Sequence, residues 1–207
     1  MHKIRPELVI VVIDMGVEIH TPAEEVVEQE VLHRFKCLHT HIVKSPDFKD
    51  SQVMIWDFHG NENGSYLAKQ RLKHQDKNEL RRFKLPWIST KSNMNKTQMC
   101  KAHSVILDRV KYVWFMGSNL AGCVMVKNGY LDQWWDQITP PYTQFRCILD
   151  MCTEGDGEEP TPHQRWCRAI TQVYDWHNTK LTNRSNHAIV TLEQAMEETN
   201  WFRGTKI

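Results

Sequence analysis

Short apolar runs alternate with longer, mostly polar segments along the chain. The clearest run is Glu7–Asp14, in which six consecutive apolar residues, most of them β-branched, end at a carboxylate. An unbroken apolar run of this length is typical of a strand that is covered on both faces of a parallel sheet. Similar runs predict further strands over residues 52–57, 85–91, 111–116, 145–150 and 187–191.

Helical patterns separate these strands. Thr21 and Pro22 suit an N-cap and a first helical position, and apolar residues then recur at helical spacing to about residue 39. The other predicted helices cover residues 66–83, 96–108, 123–137, 163–176 and 192–198. This alternation predicts an α/β fold: a doubly wound, mostly parallel six-stranded sheet with helices on both faces, a Rossmann-like three-layer sandwich. We expect residues 1–207 to form one domain.

The charge, hydropathy and cysteine content of the chain argue against several classes of protein. The formal net charge of +1 provides no basic footprint for nucleic acid or for an anionic membrane. The sequence has no run of 18 apolar residues and no signal-peptide pattern. Its six cysteines include no C-x-x-C pair, which argues against a disulfide scaffold or a zinc module. We therefore expect a cytoplasmic protein with reduced thiols.

Three reactive residue types follow predicted strands: Asp14 after the first, Lys91 after the third and Cys123 after the fourth. In a doubly wound sheet the first and fourth strands are neighbours at the switch point, where ligands bind. A carboxylate can take the thiol proton and return it to a leaving group, and an ammonium or a helix start favours the thiolate. This pattern predicts a nucleophilic cysteine. The alternative is a buried, unreactive thiol, because free cysteines are often buried.

These segments resemble the isochorismatase-like cysteine hydrolases, which include nicotinamidases, other small amidases and isochorismatases. The resemblance rests on Val-Ile-Asp14-Met, on Lys91 and on Gly117-Ser-Asn-Leu-Ala-Gly-Cys123-Val, which is similar to the family's Gly-Val-x-Thr-x-x-Cys-Val. The C-terminal third adds Ile-Leu-Asp150, His163 at a helix start and Ala188-Ile-Val-Thr-Leu-Glu-Gln-Ala. The resemblance therefore covers most of the chain.

The resemblance implies a function and a set of roles. Asp14 would be the general acid and base, Lys91 would help to activate the thiol, and Cys123 would be the nucleophile. A cis peptide bond would join Asn119 and Leu120, and the amides of Leu120 and Cys123 would form an oxyanion hole. The reaction would be hydrolysis of a small amide-type C–N bond through a thioester. The resemblance also implies a homo-oligomer with a small-molecule substrate.

Other residues depart from the family pattern. Gly16-Val-Glu-Ile replaces the usual Gln-Asn-Asp-Phe, Ser92-Asn-Met-Asn replaces a common Ser-Ala-Phe, and Lys84 is a rival for the role of Lys91. Two alternatives therefore stay open. One is an isochorismatase-type vinyl-ether hydrolase, whose chemistry does not need the thiol. The other is a catalytically silent binding or scaffolding member of the family.

A metal site is a further possibility. Asp57-Phe58-His59 resembles the metal loop of nicotinamidases, although Asn63 stands where that loop has a second histidine. Asp57 and His59, two residues apart after a strand, could both reach one divalent ion such as zinc. The alternative is a strand-end aspartate and a surface histidine, with no cofactor.

Overall fold

The computed structural model describes residues 3–14, 30–31, 33–35, 37–38, 53–59, 87–91, 95–126, 129–154 and 161–199, with only the backbone for residues 59, 87, 89–91 and 162. Its sheet has six strands in the order β3-β2-β1-β4-β5-β6. Every pair of neighbouring strands is parallel. The strands are β1 (Leu8–Ile13), β2 (Val53–His59), β3 (Trp87–Lys91), β4 (Tyr112–Gly117), β5 (Gln144–Cys152) and β6 (His187–Val190).

Helical segments connect the strands and follow the last one. Residues 30–31, 33–35 and 37–38 are helical and lie between β1 and β2. The other segments are α1 (Lys96–Ala102), the π-helical turn (Leu120–Val124), α2 (Trp134–Ile138), α3 (Pro162–Lys180) and α4 (Leu192–Thr199). In the part of the chain that the structure describes, no helix has both the length and the apolar composition needed to cross a membrane.

Side-chain contacts show that helices cover both faces of the sheet. On one face, Trp135 of α2 packs edge-on against Trp56, with ring centroids 5.4 Å apart. On the other face, the Arg146 guanidinium of β5 contacts Glu198 of α4 at 2.6 Å, and Arg34 donates a hydrogen bond to the carbonyl of Asp150. The predicted fold class is therefore confirmed: a doubly wound parallel sheet in a three-layer α/β sandwich.

The central strand β1 is buried on both faces, as its unbroken apolar sequence predicts. All six of its residues are at most 1 % exposed to solvent. Burial of each side chain of this size contributes about 1.5–3 kcal/mol to stability. Since β1 pairs with β2 on one side and with β4 on the other, it holds the two halves of the sheet together.

Some predicted boundaries differ from the observed ones. Strand β2 extends two residues past Asp57, because Phe58 and His59 still pair with β3. Helix α1 ends at Ala102, after which Ser104 adopts a positive φ of 55° and Val105 bridges to Ile4.

The predicted helix over residues 123–137 is wrong. It is divided into the π-helical turn and α2. The amides of Tyr130 and Leu131 donate to the carbonyls of Val124 and Met125, which ends the turn. A Cβ at Gly129 would clash with the Val124 carbonyl, so this closure requires glycine. The predicted helix over residues 66–83 lies outside the described residues, as does most of the one over residues 21–39.

A buried imidazole lies beneath α3. The ring of His187 stacks on Phe145 at 4.6 Å between centroids, and the side chain is 7 % exposed. Burial, with contributions from Arg184, His177 and Arg146, lowers the pKa of His187 to about 3. His177, whose Nδ1 lies 3.0 Å from the Tyr130 hydroxyl, also has a pKa that burial lowers.

We expect acid to destabilise the fold through His187. Its folded-state pKa lies below the ordinary value of 6.5, so below that pH the unfolded chain binds a proton that the folded chain does not. The contribution of His187 to stability should be fully present above about pH 6.5. Between that pH and pH 3, the free energy of unfolding should fall by up to ~1.4 kcal/mol per pH unit. The free energies of unfolding measured in urea at pH 7.5 and pH 5.0 should therefore differ by roughly 2 kcal/mol because of His187.

A pair of variants isolates the contribution of His187. His187→Gln should make the loss of stability between the two pH values smaller, because glutamine takes up no proton. His163→Gln, a substitution at an exposed histidine of α3, should leave the loss as in the unaltered protein. An unchanged loss in His187→Gln would contradict the assignment.

Candidate active site at the carboxyl edge of the sheet

The ends of β1 and β4 meet at the point where the strand order reverses. Ile13 pairs with Gly117, and the amide of Ser118 donates to the Ile13 carbonyl at 2.8 Å. On the other side, the amide of Asp14 donates to the carbonyl of Phe58 at 2.8 Å. Asp14 therefore lies between the ends of β2 and β4. In open α/β sheets this crevice is where ligands bind.

Asp14 has an unusual backbone conformation. Its φ is 47°, in the left-handed region, and the residue is half-buried. Aspartate tolerates this region better than most residues, because its short side chain can hydrogen-bond locally. β1 ends at Ile13, so Asp14 stands at the carboxyl edge of the sheet.

Gly117 lets β4 approach β1 closely. Its φ is 132°, and a Cβ there would clash with the carbonyl oxygen of Ile13 and come within 2.7 Å of the Ile13 nitrogen. Only glycine fits this position. The chain can therefore leave β4 directly beside Asp14.

The turn that follows brings Cys123 to the same edge. Asn119 is left-handed, with φ 59° and ψ 78°, and its carbonyl accepts hydrogen bonds from the amides of Gly122 and Val124. Leu120 and Val124 are buried and fix the π-helical turn to the core, while Cys123 between them is half-buried and forms no disulfide with another described cysteine. The turn has five residues, so it does not supply the long helix dipole that the predicted helix would have placed behind the thiol.

Thr153 fastens this turn to the end of β5. Its amide donates to the Gly117 carbonyl at 3.0 Å, and its carbonyl accepts from the Leu120 amide at 2.8 Å. Its hydroxyl oxygen also accepts from the Asn119 amide at 3.4 Å. A register shift in β5 makes this possible, since Phe115 pairs with Cys147 but Gly117 pairs with Cys152.

The backbone of this turn differs from the predicted site at one point and leaves a second point as a prediction. The peptide bond between Asn119 and Leu120 is trans, like the others among the described residues, and the left-handed Asn119 makes the sharp turn instead. The amide of Leu120 points to β5, where it is bonded to Thr153, so in this structure it is not available to an oxyanion.

The backbone places Lys91 at the same level of the sheet. Lys91 pairs with His59 at the end of β3 and β2, and β2 is the neighbour of β1. Two strand spacings, about 10 Å, separate β3 from β1. The side chain of Lys91 is not described, and the rival Lys84 lies outside the described residues.

A structure with the same architecture is known. No protein-family model matches the chain, and no curated protein sequence matches it. The crystal structure of an isochorismatase-like hydrolase from Alkaliphilus metalliredigens superposes with a TM-score of 0.53 at 10 % sequence identity, covering 94 % of this chain and 98 % of that one. This chain has the isochorismatase-like fold.

Within this isochorismatase-like fold, the predicted metal residues occupy a strand rather than a loop. Asp57 is fully buried in β2 and pairs with Val12 of β1 and Ser89 of β3. His59 is the last residue of β2, and its side chain is not described; Asn63 lies outside the described residues. Among the side chains that the structure does describe, no three histidines, cysteines or acids form a group that could hold a metal. A divalent ion at Asp57 and His59 stays a prediction.

Thr153 is a part of the site that the sequence did not indicate. It is buried, at 6 % exposure, and follows the last residue of β5. The register shift that brings it beside the Cys123 turn has no counterpart in the pattern of apolar residues, which predicts a strand ending at residue 150. Thr153 lies beyond that predicted end, so no local signal in the sequence marked it.

Proposed function

We propose that this protein is a cysteine hydrolase of the isochorismatase-like family that cleaves a small amide-type C–N bond. The adjacency of β1 and β4 is the observation that carries the proposal. It brings Asp14 and the turn of Cys123 to the same crevice, although more than a hundred residues separate them in the sequence. The likeness to the fold of a hydrolase supports the proposal. A fold does not determine a reaction, so the chemistry is argued from the residues of this chain.

The reaction follows from the two groups. Asp14 takes the proton of the Cys123 thiol, and the sulfur attacks the amide carbon to form a tetrahedral oxyanion. Collapse of this intermediate breaks the C–N bond, and the same proton passes from Asp14 to the leaving amine. Water, deprotonated by Asp14, then hydrolyses the thioester and releases the acid and the thiol. The Lys91 ammonium favours the thiolate and offsets the negative charge.

The proposed oxyanion hole needs a rearrangement. The amide of Cys123 would be one donor, as the resemblance implies. The amide of Leu120 can be the second only if it leaves the Thr153 carbonyl, since it is bonded there at 2.8 Å. Substrate binding that draws Leu120 away from Thr153 would complete the hole.

The same hydrogen bond favours a second candidate. A member of the family that binds a small molecule without hydrolysing it would have no need for a free Leu120 amide. Such a protein would keep the crevice between β1 and β4, but Cys123 would have the reactivity of an ordinary thiol.

Alkylation of the thiols distinguishes the two functions. The intact protein is treated with iodoacetamide between pH 5.5 and 9, and each cysteine is quantified by peptide mapping. For a hydrolase we expect Cys123 to react at lower pH than the other thiols and to be protected by small amides. Cys100, whose pKa burial raises to about 11, should react slowest among the partly exposed cysteines.

The exposed Cys167 needs its own control. Its sulfur lies 3.6 Å from Nε2 of His163, so it can react readily without belonging to the candidate site. The Cys167→Ser variant removes that signal and should leave the labelling of Cys123 unchanged. Cys37, whose sulfur lies 3.6 Å from Nε2 of His33, is excluded as a reference for the same reason. If Cys123 then reacts no faster than Cys100 at any pH, the hydrolase is contradicted and the binding function is favoured.

A further inference from the structure

The side chain of Asn119 lies against the residue that precedes Cys123. A Cβ placed on Gly122 would come within 2.7 Å of the Asn119 Oδ1 atom and 3.0 Å of its Nδ2 atom. Since consecutive Cα atoms are about 3.8 Å apart, the carboxamide lies roughly one residue from the Cys123 backbone. Asn119 caps the turn that contains Cys123, and a helical spacing of four places side chains on the same side. The carboxamide and the thiol are therefore neighbours.

Hydrogen bonds fix the backbone of Asn119 but not its side chain. Its amide donates to the Thr153 hydroxyl at 3.4 Å, and its carbonyl accepts from the amides of Gly122 and Val124 at 3.0 and 3.2 Å. In the part of the chain that the structure describes, the carboxamide itself makes no hydrogen bond and does not cap the turn. Asn119 is half-buried, so this polar group is held at the crevice rather than sealed in the core.

An oxyanion at this turn needs a donor that the backbone does not supply. The amide of Leu120, one of the two that the resemblance implies, is bonded to the Thr153 carbonyl at 2.8 Å. The nitrogen of a carboxamide carries two N–H donors. A side-chain amide held beside a nucleophile stabilises an oxyanion as a backbone amide does. The residue directly before Leu120 therefore has the missing donor.

The local sequence is suited to hold a carboxamide here. The φ of Asn119 is 59°, a conformation that glycine and aspartate also tolerate, but neither of those has a side-chain N–H. Gly122 leaves open the space in which the carboxamide lies, because the nearest atoms to a Cβ at this position belong to Asn119. Asparagine and glycine at these two positions together bring an N–H donor to the turn.

We propose that the Asn119 carboxamide donates a hydrogen bond to the oxyanion that forms when Cys123 attacks a carbonyl carbon. This inference rests on the proposed function and adds a catalytic residue to it. The negative charge develops on the carbonyl oxygen as the C–S bond forms, and it leaves that oxygen when the C–N bond breaks. The Nδ2 group acts in place of the Leu120 amide, which can stay bonded to Thr153.

Two reactions of the same thiol test this role. p-Nitrophenyl acetate acylates Cys123 through a tetrahedral oxyanion and releases p-nitrophenolate, whereas iodoacetamide alkylates the sulfur by displacing iodide without an oxyanion. Both reactions are run on the intact protein, quenched in acid and quantified on the Cys123 peptide. Asn119→Gly should slow acylation at least about 10-fold and leave alkylation unchanged, since loss of one donor to an oxyanion typically costs about 10²-fold or more.

The choice of glycine keeps the backbone as it is. Glycine adopts a φ of 59° without strain, so the unfolding midpoint of Asn119→Gly should not fall. Ser104→Gly is the matched control, because Ser104 is also left-handed, with φ 55°, and precedes β4 whereas Asn119 follows it. The control should leave acylation and alkylation of Cys123 as in the unaltered protein.

A second substitution tests where the carboxamide lies. Gly122→Ala introduces a methyl group into the space that the carboxamide occupies, so it should slow acylation when Asn119 is present. In Asn119→Gly the same methyl group has no carboxamide to displace, and Gly122→Ala should have no further effect. Such non-additivity is expected only when the two positions act through one contact.

Several outcomes would overturn the inference. These are an unaltered Cys123 that is not acylated, an acylation rate that survives Asn119→Gly, an equal slowing of both reactions, or an effect of Gly122→Ala that is the same with and without Asn119. The proposed function fails separately. If acylation depends on Asn119 but the unaltered protein releases no ammonia from benzamide or from alkyl amides with two to six carbons, the turn stabilises an oxyanion in a protein that is not an amidase.

Discussion

Replacement of Cys123 by alanine is expected to lower the rate of amide hydrolysis by about 10⁴-fold or more. The sulfur forms the bond to substrate in the proposed reaction, so its loss removes the covalent route rather than weakening it. The variant should fold, because the side chain is half-buried and loses one atom, while Leu120 and Val124 still fix the turn to the core. Ammonia release under saturating amide, with the unfolding midpoint measured on the same sample, checks both statements.

Two further variants test whether the loss of activity is specific to residues of the candidate site. Asp14→Asn should lower the rate by about 10²- to 10⁴-fold, since the carboxylate moves the proton but does not form a bond to carbon. Cys167→Ser, at an exposed thiol on α3, should retain the full rate. Full activity in Cys123→Ala would instead indicate chemistry that does not use the thiol, as in the hydrolysis of a vinyl ether.

Replacement of Gly117 by alanine is expected to destabilise the fold by roughly 3–5 kcal/mol. Alanine is strained at a φ of 132°, and its Cβ would clash with the backbone of Ile13, which cannot move aside as a side chain could. Relief of the clash requires β4 to separate from β1 where Ser118 bonds the Ile13 carbonyl. Since a domain of this size has only about 5–15 kcal/mol of stability, urea unfolding should show a much lower midpoint.

The opposite substitution provides the control. Ser104 has a φ of 55°, and Ser104→Gly removes a Cβ from a conformation that disfavours one. We expect it to leave stability unchanged or to raise it by up to ~1 kcal/mol. A Gly117→Ala variant as stable as Ser104→Gly would show that β1 and β4 can separate at their carboxyl ends without cost.

The sequence was sufficient to predict the sheet. Unbroken apolar runs such as β1 have one stable arrangement, a strand covered on both faces, and right-handed connections then leave few strand orders. The helical predictions were poorer. Residues 123–137 lack a strong helix-breaking residue apart from Gly129, yet Tyr130 and Trp135 pack onto Phe115 of the sheet and override local helical spacing.

The candidate site was predictable only in part. Asp14 and Cys123 could be paired because strand ends in a parallel sheet share one edge. The trans peptide after Asn119 and the engagement of the Leu120 amide depend on where Thr153 lies. That position follows from the register shift in β5, which is a property of strand pairing rather than of any local sequence.

The central position of β1 also affects how the chain reaches its native state. β1 ends at Ile13, whereas its neighbour β4 begins only at Tyr112. At 5–20 residues per second, the ribosome needs roughly 5–20 s to supply that neighbour. Throughout this interval an uncharged segment with strong β propensity has one side available to other nascent chains. Synthesis, rather than the finished fold, is therefore the stage at which this protein is most exposed to aggregation.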